Sequence, residues 1–147
     1  MEAENMEPGV SVIGPLQEAA VRDVWPKIAG YLLEALECDG GKMRPDDVLE
    51  QIAQGLMGLY VVQDFATGEI LAAIACEVQE YPNANVFNVA YLGGRELYRW
   101  AHLFGDLEAE AVRLGCPIVR ITGRAGWGRI YPDYKEISRI FERRVVI

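Results

Sequence analysis

Residues 59–92 confine this chain to a narrow set of folds, because they hold three strand patterns in a row with turns too short for anything but antiparallel neighbours. Leu59-Tyr60-Val61-Val62-Gln63-Asp64 and residues 70–78 read as a β-hairpin whose turn carries Asp64 and Gly68. The second of these strands, Ile70-Leu71-Ala72-Ala73-Ile74-Ala75-Cys76, is apolar on both faces, so it must be central and covered on both sides. Pro82-Asn83-Ala84-Asn85 makes the next turn, residues 86–92 form the third strand, and Gly93-Gly94 stops it. From Leu97 the apolar residues Trp100, Ala101, Phe104, Leu107, Ala111 and Leu114 trace one face of a helix that Gly115 closes. Pro117 then opens a strand to Thr122. Strand, helix and strand of this length form a right-handed crossover with parallel pairing, so the sheet is expected to be mixed.

The segments before this block add helices. Residues 1–9 read as a flexible arm, and residues 10–13 as a short first strand ended by Gly14-Pro15. From Leu16 to Leu36 apolar positions recur at helical spacing, with Pro26 predicting a kink or two shorter helices. A second helix begins at Pro45, where Asp46 and Asp47 complement the helix dipole. The tail from Tyr134 satisfies helix and strand patterns alike, and the terminal Val145-Val146-Ile147 favours a strand. The expectation is a single α/β domain over residues 10–147, a mixed central sheet flanked by helices. Its 147 residues suffice for one core.

Composition excludes several functions. Net charge is −8, distributed as −7 over residues 1–60, −5 over 61–119 and +4 over 120–147. An acidic surface repels phosphate backbones, so no nucleic-acid partner is expected, while the basic tail suits a complementary protein contact. No apolar run is long enough to cross a membrane, and the Glu-rich start lacks the features of a secretory signal, which predicts a cytoplasmic protein. Cys38, Cys76 and Cys116 lie far apart with a single histidine, His102, in the chain; no metal site is expected, and the thiols read as free and buried. One histidine and no GxSxG elbow leave a serine hydrolase without support.

The predicted order β, α, α, β, β, β, α, β, α, β, with the run Gly123-Arg124-Ala125-Gly126-Trp127 after the penultimate strand, resembles the GCN5-related N-acetyltransferase (GNAT) fold over residues 10–147. The run is closest to small GNAT-like proteins encoded by bacteriophages. The resemblance implies three pieces of chemistry. A phosphate cradle for acetyl-CoA or another acyl-CoA belongs at the junction of the fourth strand and third helix, where backbone N–H groups and a helix start would hold the pyrophosphate. Here that junction offers Gly93, Gly94, Arg95 and Arg99, with Glu96 among them, and departs from the usual Arg/Gln-x-x-Gly-x-Gly/Ala signature. A base for the acceptor amine would be Glu77 or Glu80, and the acid for the leaving thiolate would be Tyr131.

Because the signature is missing, the resemblance also implies a degenerate protein of phage structural or accessory type. Such a protein, cytoplasmic in the host or incorporated in a virion, would have no cofactor. It would bind phage structural proteins, other subunits or itself, with Trp127, Arg124, Arg139 and Arg143 as contact residues. A V-shaped gap between the strands at 86–92 and 117–122, open to solvent and flanked by Gly93 and Gly94, would instead favour acyl transfer.

Overall fold

The computed structural model describes residues 9–123 and 126–147. Five strands form one sheet in the order β1-β2-β3-β4-β5: β1 (Val10–Ile13), β2 (Gly58–Asp64), β3 (Ile70–Glu80), β4 (Asn85–Gly94) and β5 (Ile118–Ile121). The first three pairings are antiparallel and β4 with β5 is parallel, the mixed sheet expected from the strand order. Four helices flank it: α1 (Glu18–Cys38), α2 (Pro45–Ala53), α3 (Phe104–Arg113) and the single turn α4 (Trp127–Ile130).

β3 is the centre. Residues 70–76 are all buried, because each face meets its own helical layer. Ala73 and Ala75 pack with Trp25, Ile28, Leu32 and Leu36 of α1 and Val48 of α2. Leu71, Ile74 and Cys76 pack with Phe104, Leu107 and Ala111 of α3 and with Trp100. The small side chains on the α1 face have a reason: the helix lies close against the sheet there. A Cβ at Gly93 would collide with the carbonyl group of Tyr31, lying 2.7 Å from its carbon, so only glycine lets α1 cross β4.

Several sequence expectations are corrected. Pro26 neither breaks nor divides α1, which runs continuously over 21 residues. Its ring lies on the exposed side while Val21, Trp25, Ile28, Leu32 and Leu36 anchor both halves to one surface. Gly93 and Gly94 do not stop β4 but pair with Ala73 and Ala72 as its last residues. The helix expected from Leu97 starts only at Phe104; residues 97–99 and 101–103 are two 3-10 turns. The tail forms no strand: residues 135–147 are exposed chain without regular secondary structure and with no sheet partner among the described residues. Cys76 and Cys116 are buried thiols as expected, whereas Cys38, at the end of α1, is exposed. His102 lies exposed in the second 3-10 turn. Of the arm at 1–9, residues 1–8 lie outside the described residues, and Gly9 takes a left-handed turn with φ 83° whose carbonyl accepts from the Phe65 N–H. No helix of the described residues is long and apolar enough to cross a membrane.

Candidate functional site at the divergence of two parallel strands

β4 and β5 pair over only four residues, Val86 to Val89 against Ile118 to Ile121, closed by a hydrogen bond from the Thr122 N–H to the Val89 carbonyl. Directly after this, β4 carries an extra residue. Ala75 of β3 faces Tyr91 and Cys76 faces Val89, so Ala90 is a bulge. A bulge bends its strand and increases the local twist. From Ala90 to Gly94, β4 therefore has a partner on the β3 side and no β5 partner among the described residues.

Polar residues collect there on the sheet face that carries α1. Glu77 of β3 stands opposite Asn88 of β4, and Asn88 opposite Arg120 of β5, so sheet register alone sets the three in a row. Glu77 Oε1 accepts hydrogen bonds from Asn88 Nδ2 at 3.2 Å and Gln79 Nε2 at 3.0 Å. Asn88, only 4% exposed, accepts in turn from the Thr122 hydroxyl at 2.9 Å. Both bonds to Glu77 fall on the same carboxylate oxygen. Arg120 donates to Gln79 Oε1 at 2.8 Å and to the Tyr81 hydroxyl at 3.1 Å, and its guanidinium lies over the Tyr81 ring. Tyr91 borders the group, donating to Met43 Sδ; burial, then Asp39 and Glu77, raise its pKa.

Asn88, Tyr91, Thr122 and Arg120 were not among the residues singled out from the sequence. Period-two alternation could have put Asn88 beside Glu77, but only the register adds β5. The structure separates Glu77 from Glu80, the other base expected: Glu80 is exposed at the end of β3 and, by alternation, on the opposite face. Tyr131 is not in this cluster. Its ring packs against Phe104 at 4.5 Å and stacks on Trp127, and its hydroxyl donates to the Ala101 carbonyl at 3.0 Å. Burial, aided by Glu108, pushes its pKa up to about 12.

The residues expected to cradle phosphates are committed elsewhere. Arg99 donates to Asp64 Oδ2 at 2.7 Å, with side chains 15% and 8% exposed, and ties the first 3-10 turn to the β2–β3 hairpin. Arg95 faces Glu69 at 3.2 Å and Glu96 at 3.9 Å. A Cβ at Gly94 would meet the Leu71 carbonyl and lie 2.6 Å from the Ala72 Cβ, so both glycines serve close approach of protein to protein. Glu96, held in the left-handed region at φ 54°, adds negative charge at the mouth. The first α-helical turn is displaced to Phe104, which is buried. These residues do not fit a pyrophosphate.

The Asp64–Arg99 pair also gives a pH dependence. The hydrogen bond from Arg99, reinforced by the Ala66 N–H, outweighs burial and holds the Asp64 carboxyl below its ordinary value. A folded-state pKa below the unfolded one stabilises the protein above the unfolded value, and that contribution is lost as pH falls through the folded value. Asp64→Asn is expected to lower the melting temperature at neutral pH and to flatten its fall below about pH 4, as measured by thermal unfolding across an acid series.

The remaining expected contact residues fall into two groups. Trp127 is half-buried, covering Gly123, where a Cβ would lie 2.9 Å from the indole Nε1, and packing with Tyr131 and Tyr134 on the α3 side of the core. Trp100 is buried in the same cluster. Arg124 lies outside the described residues. Arg139 and Arg143 are in the exposed tail, Arg139 paired with Glu136 at 3.1 Å.

No protein-family profile and no curated protein matches this sequence. Solved structures do match its fold. A probable acetyltransferase aligns with TM-score 0.64 at 10% identity, over 94% of this chain and 97% of that one. A GNAT family acetyltransferase of Staphylococcus aureus aligns with TM-score 0.60 at 14% identity, over 92% and 99%. Glucosamine-6-phosphate N-acetyltransferase of Arabidopsis thaliana aligns with TM-score 0.58 at 12% identity, over 92% and 97%. At these identities the likeness establishes the fold, which is GNAT-like along nearly the whole chain.

Proposed function

We propose that this chain is a catalytically degenerate protein of GNAT-like fold that works through protein contacts, as a structural or accessory component of the phage type its local resemblance implies. One observation carries the reading: the charges where a pyrophosphate would sit are consumed within the chain, Arg99 by buried Asp64 and Arg95 by Glu69 and Glu96. A dianionic group would have to displace these carboxylates or sit beside them, and like charges at such distances repel. The 3-10 turns add to this, since they replace the long helix start on which anion binding by backbone N–H groups depends.

A second reading, N-acyl transfer, is favoured by a different observation. Glu77 is oriented by Asn88 and Gln79 at the place where β4 loses its β5 partner. In that reading Glu77 takes the proton from an acceptor amine, and Asn88, fixed by Thr122, keeps the carboxylate aimed.

Thermal unfolding with millimolar acetyl-CoA separates the two. A ligand at about 100 times its Kd stabilises the native state by roughly 2.7 kcal/mol, or several degrees for a domain of this size. The expected result is an unchanged melting temperature. A clear rise would overturn the degenerate reading and establish a donor site.

A further inference from the structure

Glu77 and Arg120 are opposite charges that the fold brings near each other without joining. Sheet register sets Asn88 between them. Arg120 leans from β5 toward β3, where its Nη1 donates to Gln79 Oε1 at 2.8 Å and to the Tyr81 hydroxyl at 3.1 Å. Gln79 in turn donates through Nε2 to Glu77 Oε1 at 3.0 Å. One side-chain amide therefore spans the space from guanidinium to carboxylate. The groups bonded to Glu77 are two amides, and those bonded to Arg120 are an amide and a phenol, all of them neutral. Charges held by neutral dipoles keep their field for a further partner, whereas Arg99 and Asp64, in direct contact, cancel each other.

Two more observations point to an incomplete site. Both of the Arg120 bonds leave from Nη1, while its Nε is buried and has no hydrogen-bond partner among the described residues. A buried donor left unmade is costly, and more so on a charged group. A carboxylate binds a guanidinium through two adjacent nitrogens at once, so turning the Arg120 plane to present Nε with Nη2 would satisfy the orphaned donor. The sheet face is also open here. No β5 side chain joins the core beneath α1. Tyr81, over whose ring the Arg120 guanidinium lies at 5.6 Å, is 47% exposed.

The geometry points to a site for a free α-amino acid on this face, its carboxylate on Arg120 and its ammonium on Glu77. Charge and span together set the class of ligand. An anion alone is repelled by Glu77 and a cation alone by Arg120, so only a molecule carrying both signs gains from both. Gln79 presents its acceptor and donor on one amide, and an α-amino acid presents its two charges across a similarly short span. A long ω-amino acid separates them too far to lie beside Gln79. Recognition through these two ends is common to all α-amino acids and leaves their side chains to project from the open face. Asn88, buried and held by Thr122, keeps Glu77 in place. The site rests on neither reading of the function: without a donor it holds its ligand unchanged, and in the acyl-transfer reading the amine on Glu77 is the acceptor.

The test is a titration of the full chain with L-alanine at millimolar concentrations, followed by the amide resonances in nuclear magnetic resonance spectra. It is run without acetyl-CoA, so its outcome is separate from that of the melting experiment above. Saturable shifts centred on residues 77–81, 88 and 118–122 are expected. Ethylamine and propanoate, each with one of the two charges, and ε-aminocaproate, with both but far apart, should bind at least about tenfold more weakly. Glu77→Gln keeps an acceptor for Asn88 and Gln79; it should weaken L-alanine by about tenfold and strengthen propanoate, because the repelling charge is gone. Arg120→Gln should weaken L-alanine likewise and strengthen ethylamine. A merely structural role for either residue would not produce these opposite changes, and the comparison of ligands on the unmodified chain stands even if a variant fails to fold. L-alanine that shifts no resonance or only those elsewhere, propanoate or ε-aminocaproate binding as tightly as L-alanine, or an unchanged affinity for L-alanine in either folded variant would each overturn the site.

Discussion

Gly93→Ala is expected to be among the most damaging single-atom additions available in this protein, costing about 3 kcal/mol or more of stability. The added Cβ runs into the Tyr31 carbonyl group, which is α1 backbone and cannot rotate aside. Relief requires lifting α1 from β4, and α1 supplies five buried side chains to one half of the core. The neighbouring Tyr31 hydroxyl bond to the Ile70 carbonyl, 2.9 Å, would be strained by the same movement. Chemical denaturation should report a lower midpoint with an unchanged slope if the native state yields locally. Gly105→Ala makes a suitable control, because a Cβ there meets nothing within 4 Å. Equal stability of the Gly93→Ala protein and the unmodified chain would show that the helix and strand are not in the tight contact described.

Trp100→Ala should cost a similar amount, about 3–5 kcal/mol, and should also loosen residues 95–103. Trp100 is 4% exposed, packs in the α3-side core and donates its indole N–H to the Arg95 carbonyl at 2.9 Å. It is thus the apolar plug beneath residues 95–103, while Arg99 is their electrostatic tie to Asp64. Trp100→Phe keeps most of the burial and loses the hydrogen bond, a cost of about 1 kcal/mol. If packing by Trp100 is what holds these turns, the alanine variant should show faster amide exchange across 95–103 than the phenylalanine variant. Equal exchange in both would assign the local order to Asp64 and Arg99 alone.

The departures from the sequence reading share one physical origin. Local periodicity describes which side chains face inward, not which backbone conformation turns them there. Leu97, Trp100, Leu103 or Ala101, and Phe104 fit a helix and also two successive 3-10 turns, which have three residues per turn. The choice is made by contacts with distant residues, above all Asp64 and the Arg95 carbonyl, together with a left-handed Glu96. Pro26 went the other way: local chemistry argued for a break, but a continuous apolar face held by the sheet overrode it. In the tail, the β-branched Val145-Val146-Ile147 favoured a strand that is absent, since a strand exists only where a neighbour completes its hydrogen bonds.

What the sequence determined by itself was the composition of layers. The apolar run at 70–76 required a central strand covered on both sides, the turns carrying Asp64 with Gly68 and at 82–85 required antiparallel neighbours, and the helix with Gly115 and Pro117 required a parallel return. These are consequences of nearest-neighbour chemistry: alternation, glycine and proline geometry, and burial. Tertiary structure alone decided where β4 loses its β5 partner, that Asn88 beside Glu77 also meets Thr122 and faces Arg120, and that Arg99 is spent on Asp64. The meeting of Asn88 with Thr122 depends on the register of β4 against β5, two strands separated by a helix, and the Arg99–Asp64 pair joins segments 35 residues apart, so no local pattern contains either. A slip of one residue between β4 and β5 would turn Arg120 to the opposite face, and the packing of Val119 and Ile121 on the α3 side of the core excludes it.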